Sequence, residues 1–259
     1  MDEPPDVRPF VSVIVPAFDE EAVISHCVEE LFGVMQKTQQ RAEIIVVNDG
    51  STDQTLREAQ FLQSKYPVLR VLSFARNYGK AIALREGIRA AQGDTIALFD
   101  ADLQYDPADL VELLAMLDGK ADIVTGLRDF RHYELTRTAL SKIYNKLLRL
   151  IFRVNVCDAN CGMKVLRREA ANPDFLFRYG TPLMVPLLKL RGFRIAEKEV
   201  SLRERKLGES KFFKNKSFLG GWKNIRSVYY NAGLLLGLLA NVPSERLQSR
   251  NTEASLSSP

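Results

Sequence analysis

Cysteine and histidine are scarce, with three and two in 259 residues. So few cysteines, and an odd number, make no disulfide framework in a chain this long. Cys27, Cys157 and Cys161 with His26 and His132 cannot assemble a zinc set either. Reducing, intracellular conditions are the expectation. Glycine (15) and proline (11) are ordinary and no internal repeat is present, which excludes collagen-like, low-complexity and coiled-coil classes. Residues 1–9 form an acidic, proline-rich tail without the apolar run of a signal peptide, which argues against secretion. The most apolar stretch, Val228 to Val242, has 15 residues interrupted by Asn231 and Asn241. It falls short of the roughly 20 that span a bilayer, so no full transmembrane helix is expected. That stretch is left to lie on a membrane or pack in a core. Residues 243–259 are Ser-rich and read as a disordered tail.

What is present suffices for a packed domain, with 46% hydrophobic and 26% charged residues. The net charge of +4 hides a division of sign. Residues 1–127 carry 11 Lys/Arg and 21 Asp/Glu, net −10, whereas residues 128–259 carry 25 and 11, net +14. The second half is therefore expected to face something anionic, whether nucleic acid, phospholipid or a phosphorylated substrate. From Phe10 onward, short β-branched runs alternate with amphipathic stretches, the pattern of an α/β fold with a mainly parallel sheet. Strands are expected at 11–15, 43–47, 68–74, 95–99, 122–126 and 193–200, and helices at 20–36, 52–65, 78–91, 107–117 and 140–153. The helix at 107 is announced by Asp106 as N-cap and Pro107 in the first turn. No Gly/Ser/Pro-rich linker separates the halves.

The sequence Phe99-Asp100-Ala101-Asp102-Leu103-Gln104 follows the apolar run TIAL. On an extended segment alternate residues share a face, so Asp100, Asp102 and Gln104 are expected to converge at the carboxyl end of the sheet, where open α/β folds bind ligands. Two hard carboxylates suit Mg2+ or Mn2+ with positions left open for phosphate oxygens. Other strand ends are acidic too: Pro16-Ala17-Phe18-Asp19-Glu20-Glu21, and Asn48-Asp49-Gly50-Ser51-Thr52-Asp53. Asp49 can read a base or ribose, or the run can be plain turn chemistry with Ser51 or Thr52 capping a helix. Neither is the glycine fingerprint of a dinucleotide fold or a phosphate-cradling P-loop, which weakens dehydrogenase and kinase readings.

PAFDEE, VVNDGSTDQT, ARNYGKAIALREGIRAAQGD, FDADLQYDP, GLRD, DANCGMKVLRRE and RKLGESK, in that order, resemble the inverting family 2 glycosyltransferases of GT-A fold over residues 10–212. The subgroup most resembled is the polyprenyl-phosphate hexose synthases, dolichyl-phosphate mannose or glucose synthase among them, on Asp-Ala-Asp-Leu-Gln and Arg-x-x-Gly-Glu-Ser-Lys. The resemblance implies a Rossmann-like donor half at 10–127 and an acceptor half at 128–212. It implies a nucleotide-sugar donor held by Pro16, Ala17, Phe18, Glu20, Asp49, Ala101 and Lys80, with the metal and diphosphate on Asp100, Asp102 and Gln104. Arg128, Arg137, Ser141, Arg205 and Lys211 fall at or near positions that meet acceptor phosphate or pyrophosphate, and guanidinium forks match phosphate oxygens. Asp158 resembles a catalytic carboxylate near the acceptor oxygen. Both general base and electrostatic organiser stay open for it. Cys157 and Cys161 are expected to be core thiols.

Leu140 to Arg153 places apolar residues at helical spacing with Lys142, Lys146, Arg149 and Arg153 elsewhere on the wheel. Such a helix can lie on an anionic bilayer or pack on a core with a solvated basic face. In Lys211 to Tyr230, Phe212, Phe213, Phe218, Trp222, Tyr229 and Tyr230 interleave with cations, as a headgroup region favours, and no nucleic-acid motif accompanies them. C-terminal amphipathic interface helices at 213–242 are the expectation. Many relatives add two transmembrane helices after the catalytic domain, and none follows here. Peripheral binding at the cytoplasmic face, an anchor supplied by a partner, and a chain shorter than the whole protein all remain open. A family 2 enzyme with a non-lipid glycan acceptor and a non-catalytic nucleotide-sugar-binding module are the alternatives.

Overall fold

Seven strands form one mixed sheet in the order β3-β2-β1-β4-β6-β5-β7. The computed structural model describes residues 10–117, 119, 121–129, 135–176 and 181–203. The chain divides into two compact units, residues 1–189 with 193–208, and residues 190–192 with 209–259. The sheet lies in the first. β1 (Val11–Ala17), β2 (Ala42–Asn48), β3 (Leu69–Ser73) and β4 (Thr95–Leu98) are mutually parallel. β5 (Ile123–Arg128) pairs in parallel with β7 (Ile195–Val200), and β6 (Lys164–Arg167) runs antiparallel between β4 and β5. The helices are α1 (Ile24–Lys37), α2 (Thr55–Lys65), α3 (Lys80–Ala90), α4 (Pro107–Met116), α5 (Leu135–Phe152), α6 (Pro173–Leu176) and α7 (Met184–Leu190). The α/β expectation is met, with the expected strands and long helices present at slightly shifted ends. The interface helices expected at 213–242 and the tails at 1–9 and 243–259 lie outside the described residues.

Runs such as VSVIV and EIIVV become central strands because β-branched side chains fill both faces of a sheet covered by helices. Val11, Val13, Ile14, Val15, Ile45, Val46 and Val47 are all fully buried. α3 lies so close over β1 that a Cβ on Gly87 would sit 2.3 Å from Ile14 Cγ2. α4 begins as its sequence predicts: the Asp106 carboxylate accepts from the Ala108 N–H at 2.9 Å, with Pro107 at the first position.

One strand was not foreseen and one reading is corrected. β6 is a strand that the sequence does not advertise, since KVLR carries two charges in four residues. It is recruited because β4 and β5 both offer it a free edge, and it buries Lys164, Val165 and Leu166. Ser51 and Thr52 do not cap α2, which starts later, at Thr55. The Ser51 hydroxyl instead accepts from the Asp19 N–H at 2.9 Å, and the Thr52 N–H donates to Asp19 Oδ1 at 2.7 Å.

Because β1 to β5 and β7 share one direction and β6 opposes them, the carboxyl ends of the former and the entry to β6 meet at one edge. The opposite end is tied by Glu43. Its carboxylate accepts from the Ser12 hydroxyl at 2.6 Å, the Gln92 N–H at 2.7 Å and Arg70 Nη1 at 2.8 Å. Burial alone would push this carboxyl up. Ser12, Gln92 and Arg70 outweigh that and hold it below its ordinary 4.5. The stabilisation is therefore complete above about pH 4.5 and lost as pH falls through the folded-state value. Glu43→Gln is expected to cost about 1–3 kcal/mol near neutral pH and progressively less on acidification. Urea midpoints of both proteins across that pH range check this.

Candidate active site

The strand ends build the site from the β2 side. Asn48 is buried and donates through Nδ2 to Ser73 Oγ at 2.9 Å, which locks the ends of β2 and β3 together. Next in the chain, Asp49 is 3% exposed, and its two oxygens accept from the N–H groups of Tyr78 at 2.7 Å and Gly79 at 2.8 Å. Gly50 sits at φ +65°, and a Cβ there would lie 2.1 Å from the Arg76 carbonyl carbon, so only glycine allows the two loops to meet. Asp49 thus fixes the turn that opens α3. The first residue of that helix, Lys80, forms an ion pair with Asp100 at 2.5 Å.

Ala101 and Asp102 form a turn, so residues 99–104 are not one extended run. Leu103 adopts φ +53°, and the Gln104 N–H donates to Asp102 Oδ1 at 3.2 Å. Asp100, Asp102 and Gln104 are all half-buried, and Ala101 between them is in the core. Burial raises the pKa of the buried Cys27 thiol on α1, and the charges of Asp102, Glu30, Asp100 and Glu20 add to that rise. Two carboxylates and an amide are hard oxygen donors. An ion of the Mg2+ or Mn2+ type takes one or two carboxylates and completes its shell with phosphate oxygens and water, so this set fits such an ion. Among the described residues no group of three or more His, Cys, Asp or Glu is arranged to hold a metal by itself.

The entry to β6 closes the site from the other side. A Cβ on Gly162 would lie 2.1 Å from Asp100 Oδ2, and the Gly162 N–H donates to the Tyr105 hydroxyl at 3.0 Å. Four residues earlier, Asp158 is fully buried and gripped by Arg128, with Nε to Oδ2 at 2.6 Å and Nη2 to Oδ1 at 2.8 Å. Burial alone would lower the Arg128 value; its hydrogen bonds to Asp158 and the charge of that carboxylate reverse this and keep the guanidinium firmly protonated. The loop is held further by Glu197, which accepts from the N–H groups of Cys157 at 2.7 Å and Asp158 at 2.8 Å. Asn145 of α5 accepts from the Ala159 N–H at 3.2 Å.

Sequence reasoning missed three contributors. Lys164, in a strand it did not foresee, is 5% exposed and donates to the Cys161 carbonyl. Burial lowers its pKa, with Lys80 and Arg128 acting in the same sense against the charges of Cys161 and Asp158. A lysine in the apolar run Met163 to Leu166 was the available signal. Glu197 was readable only once β7 was paired. Arg203 had no signal. It binds Glu30 at 2.5 Å and Asp106 at 2.8 Å, and its N–H donates to the Gln104 carbonyl at 2.8 Å.

Other expected residues are placed as follows. Pro16 and Ala17 are the last residues of β1, with Ala17 in the core; Phe18 and Glu20 are half-buried just beyond. Ser141 is half-buried and its hydroxyl accepts from Asn145 Nδ2 at 3.5 Å. Arg137 is on α5 with its side chain outside the described set, and Arg205 and Lys211 lie outside the described residues. Cys161 is a core thiol as expected, but Cys157 is exposed, on the outward side of a segment whose burial alternates from Val154 to Asp158.

α5 shows both faces that its sequence allowed. Leu148 and Phe152 are buried, while Ile143, Leu147 and Leu150 are 57%, 43% and 77% exposed among exposed Lys142, Lys146, Arg149 and Arg153. A groove of about 390 Å³ runs between this helix, Leu127 and Cys157, with Lys142, Lys146 and Arg149 at its walls. Among the described residues, no helix is long and apolar enough to cross a membrane.

Residues 12–174 match the family described as glycosyl transferase family 2. The chain belongs to that family. It is 28% identical over 205 residues to undecaprenyl-phosphate 4-deoxy-4-formamido-L-arabinose transferase of Proteus mirabilis, covering 78% of this chain and 62% of that protein. It is 35% identical over 160 residues to dodecaprenyl-phosphate galacturonate synthase of Rhizobium johnstonii, 61% of this chain and 47% of that one. The chain thus spans about half to three-fifths of the length of these curated relatives. The fold is shared with glucosyl-3-phosphoglycerate synthase from Mycobacterium tuberculosis, solved with Mn2+, UDP and phosphoglyceric acid. The TM-score is 0.58 at 21% identity over 78% of this chain and 72% of that one. A mannosyltransferase from Pyrobaculum calidifontis, solved with GDP-Man and Mn2+, gives 0.57 at 16% identity over 98% and 83%.

For this glycosyltransferase domain the Arg128–Asp158 pair sets a testable cost. Asp158→Asn leaves a nearly buried guanidinium without its countercharge, and a loss of about 3–5 kcal/mol in unfolding free energy is expected. Thermal and urea unfolding of the variant checks it. A loss under about 1 kcal/mol would mean that the pair does not hold the loop.

Proposed function

We propose that this chain transfers a hexosyl group from a GDP or UDP sugar to a polyprenyl phosphate at the cytoplasmic face of a membrane, with Mg2+ or Mn2+ on the donor diphosphate. One observation carries the reading: a single short loop touches both an acidic strand edge and a cationic groove with apolar walls. Gly162 abuts Asp100, and Cys157 lines the groove beside α5. An acidic edge suits a metal diphosphate, and a groove of that chemistry suits a phosphate carrying a hydrocarbon chain. The relatives' names supply the acceptor class, undecaprenyl and dodecaprenyl phosphate. The fold neighbours were solved with Mn2+ and UDP or GDP-mannose, which supports the donor class and the ion.

In this reading Pro16, Ala17, Phe18, Glu20 and Asp49 border the nucleoside, and Asp100, Asp102 and Gln104 hold the ion. The divalent ion, when bound, screens the negative charge of the departing diphosphate. Arg128, Arg137, Ser141, Arg205 and Lys211 receive the acceptor phosphate. A phosphate monoester is largely ionised at neutral pH, its second pKa being about 6. Its oxygen forms the new bond to the anomeric carbon as the bond to the diphosphate breaks on the opposite face, and the electron pair leaves with the diphosphate. Configuration inverts, and no proton need be removed. Asp158, buried with both oxygens on Arg128, then serves as organiser rather than base. The exposed Ile143, Leu147 and Leu150 among the α5 cations meet the lipid surface, peripherally or with an anchoring partner.

Radiolabelled GDP- and UDP-hexoses offered with a short polyprenyl phosphate, with divalent metal or chelator, test the proposal. A chelator-sensitive glycolipid is expected, and Asp102→Ala should lower its formation by at least about a hundredfold. Turnover that ignores chelator would contradict the metal assignment. Donor binding without lipid product would contradict the acceptor, and glycan acceptors would be tried next.

A further inference from the structure

We infer that Lys80 is an exchangeable counter-cation of Asp100: it occupies this carboxylate when no divalent ion is present, and the ion displaces it toward the incoming diphosphate. Only the identity of that diphosphate rests on the function proposed above.

Three observations lead there. First, Lys80 stands where local physics disfavours it. It is the first residue of the eleven-residue α3, whose amino end carries the positive pole of the helix dipole, and the first turn of that helix holds no acidic residue. A cation at a positive helix end is a local conflict of the kind that marks functional positions. Its compensation comes from another element, the Asp100 carboxylate at 2.5 Å.

Second, Asp100 is the more confined of the two partners. The backbone at Gly162 is packed against Oδ2, where a single added carbon would overlap at 2.1 Å. Lys80 can turn away, since its side chain is 46% exposed against 23% for Asp100 and its four-carbon stem is flexible. A divalent ion arriving at Asp100 meets a +1 charge already in place, and the partner able to yield is the lysine.

Third, the departure has a destination. Asp49 fixes the N–H groups of Tyr78 and Gly79, so the start of α3 stays put while the Lys80 side chain moves. The helix end and the released ammonium then present positive charge to one anion, the role a diphosphate fills. The lysine thus neutralises part of the carboxylate charge before the ion arrives and part of the phosphate charge afterwards.

Mn2+ binding followed by electron paramagnetic resonance tests the exchange without turnover. Lys80→Met, which keeps the stem and removes the charge, is expected to bind Mn2+ alone at least about twofold more tightly than the native chain. Lys80→Arg keeps the charge and should match the native affinity. In the presence of Mn2+, Lys80→Met should bind UDP or GDP at least about threefold more weakly. Unchanged, weaker or undetectable Mn2+ binding by Lys80→Met overturns the exchange. Tighter Mn2+ binding in that variant, with no UDP or GDP bound by the native chain, keeps the exchange and removes the nucleotide-sugar reading. Metal-dependent nucleotide binding with unchanged Mn2+ affinity does the reverse.

Discussion

The Asp100 carboxylate is confined on two sides, by the Lys80 ammonium at one oxygen and by the backbone of Gly162 against the other. The first contact comes from the parallel half of the sheet and the second from the antiparallel strand inserted beside it. Through this one carboxylate the two parts of the domain fix each other. Asp49 holds the turn that delivers Lys80, and Tyr105 and Lys164 hold the loop that delivers Gly162. These residues act on Asp100 through the turn that carries Lys80 or the loop that carries Gly162, which is how a site built on several loops keeps its geometry.

The same arrangement explains why the charge of the chain is divided. The acidic half ends its strands in carboxylates, and the charges of Asp102, Asp100 and Glu20 add to the burial that raises the pKa of Cys27. The basic half answers with Arg128 on Asp158, Lys164 beneath the loop, and the cations of α5 around exposed leucine and isoleucine. A buried ion pair contributes little net stability relative to a well-packed apolar pair, because desolvation offsets the attraction. What Arg128 and Asp158 provide is position: the carboxylate accepts from the Arg128 side chain and from its N–H, and Glu197 holds the same loop from β7.

Much of this was legible in the sequence, for physical reasons that differ by element. The central strands announced themselves because a doubly covered sheet needs unbroken β-branched runs, and α4 because Asp106-Pro107 is a capping signal with one meaning. The acidic strand ends could be located for the same reason: they follow those runs. β6 could not be read, since burial of Lys164 depends on the acceptor supplied by the Cys161 carbonyl, which no local pattern reveals. Ser51 and Thr52 looked like helix caps because capping and cross-loop bonding use the same side chains, and only the position of Asp19 decides between them. The exposed Cys157 and the clamp at Arg203 are likewise set by distant residues. Arg205, Lys211 and the aromatic segment beyond them were read from pattern alone and fall outside the described residues.

The central claim is that the carboxyl ends of the parallel strands hold a metal-bound nucleoside diphosphate at Asp100 and Asp102. The anomalous diffraction of Mn2+ in crystals grown with UDP or GDP tests it most directly. The account predicts one strong Mn2+ peak within bonding distance of the Asp100 or Asp102 carboxylates and in contact with the diphosphate. A bound nucleotide whose Mn2+ lies away from both carboxylates would contradict it.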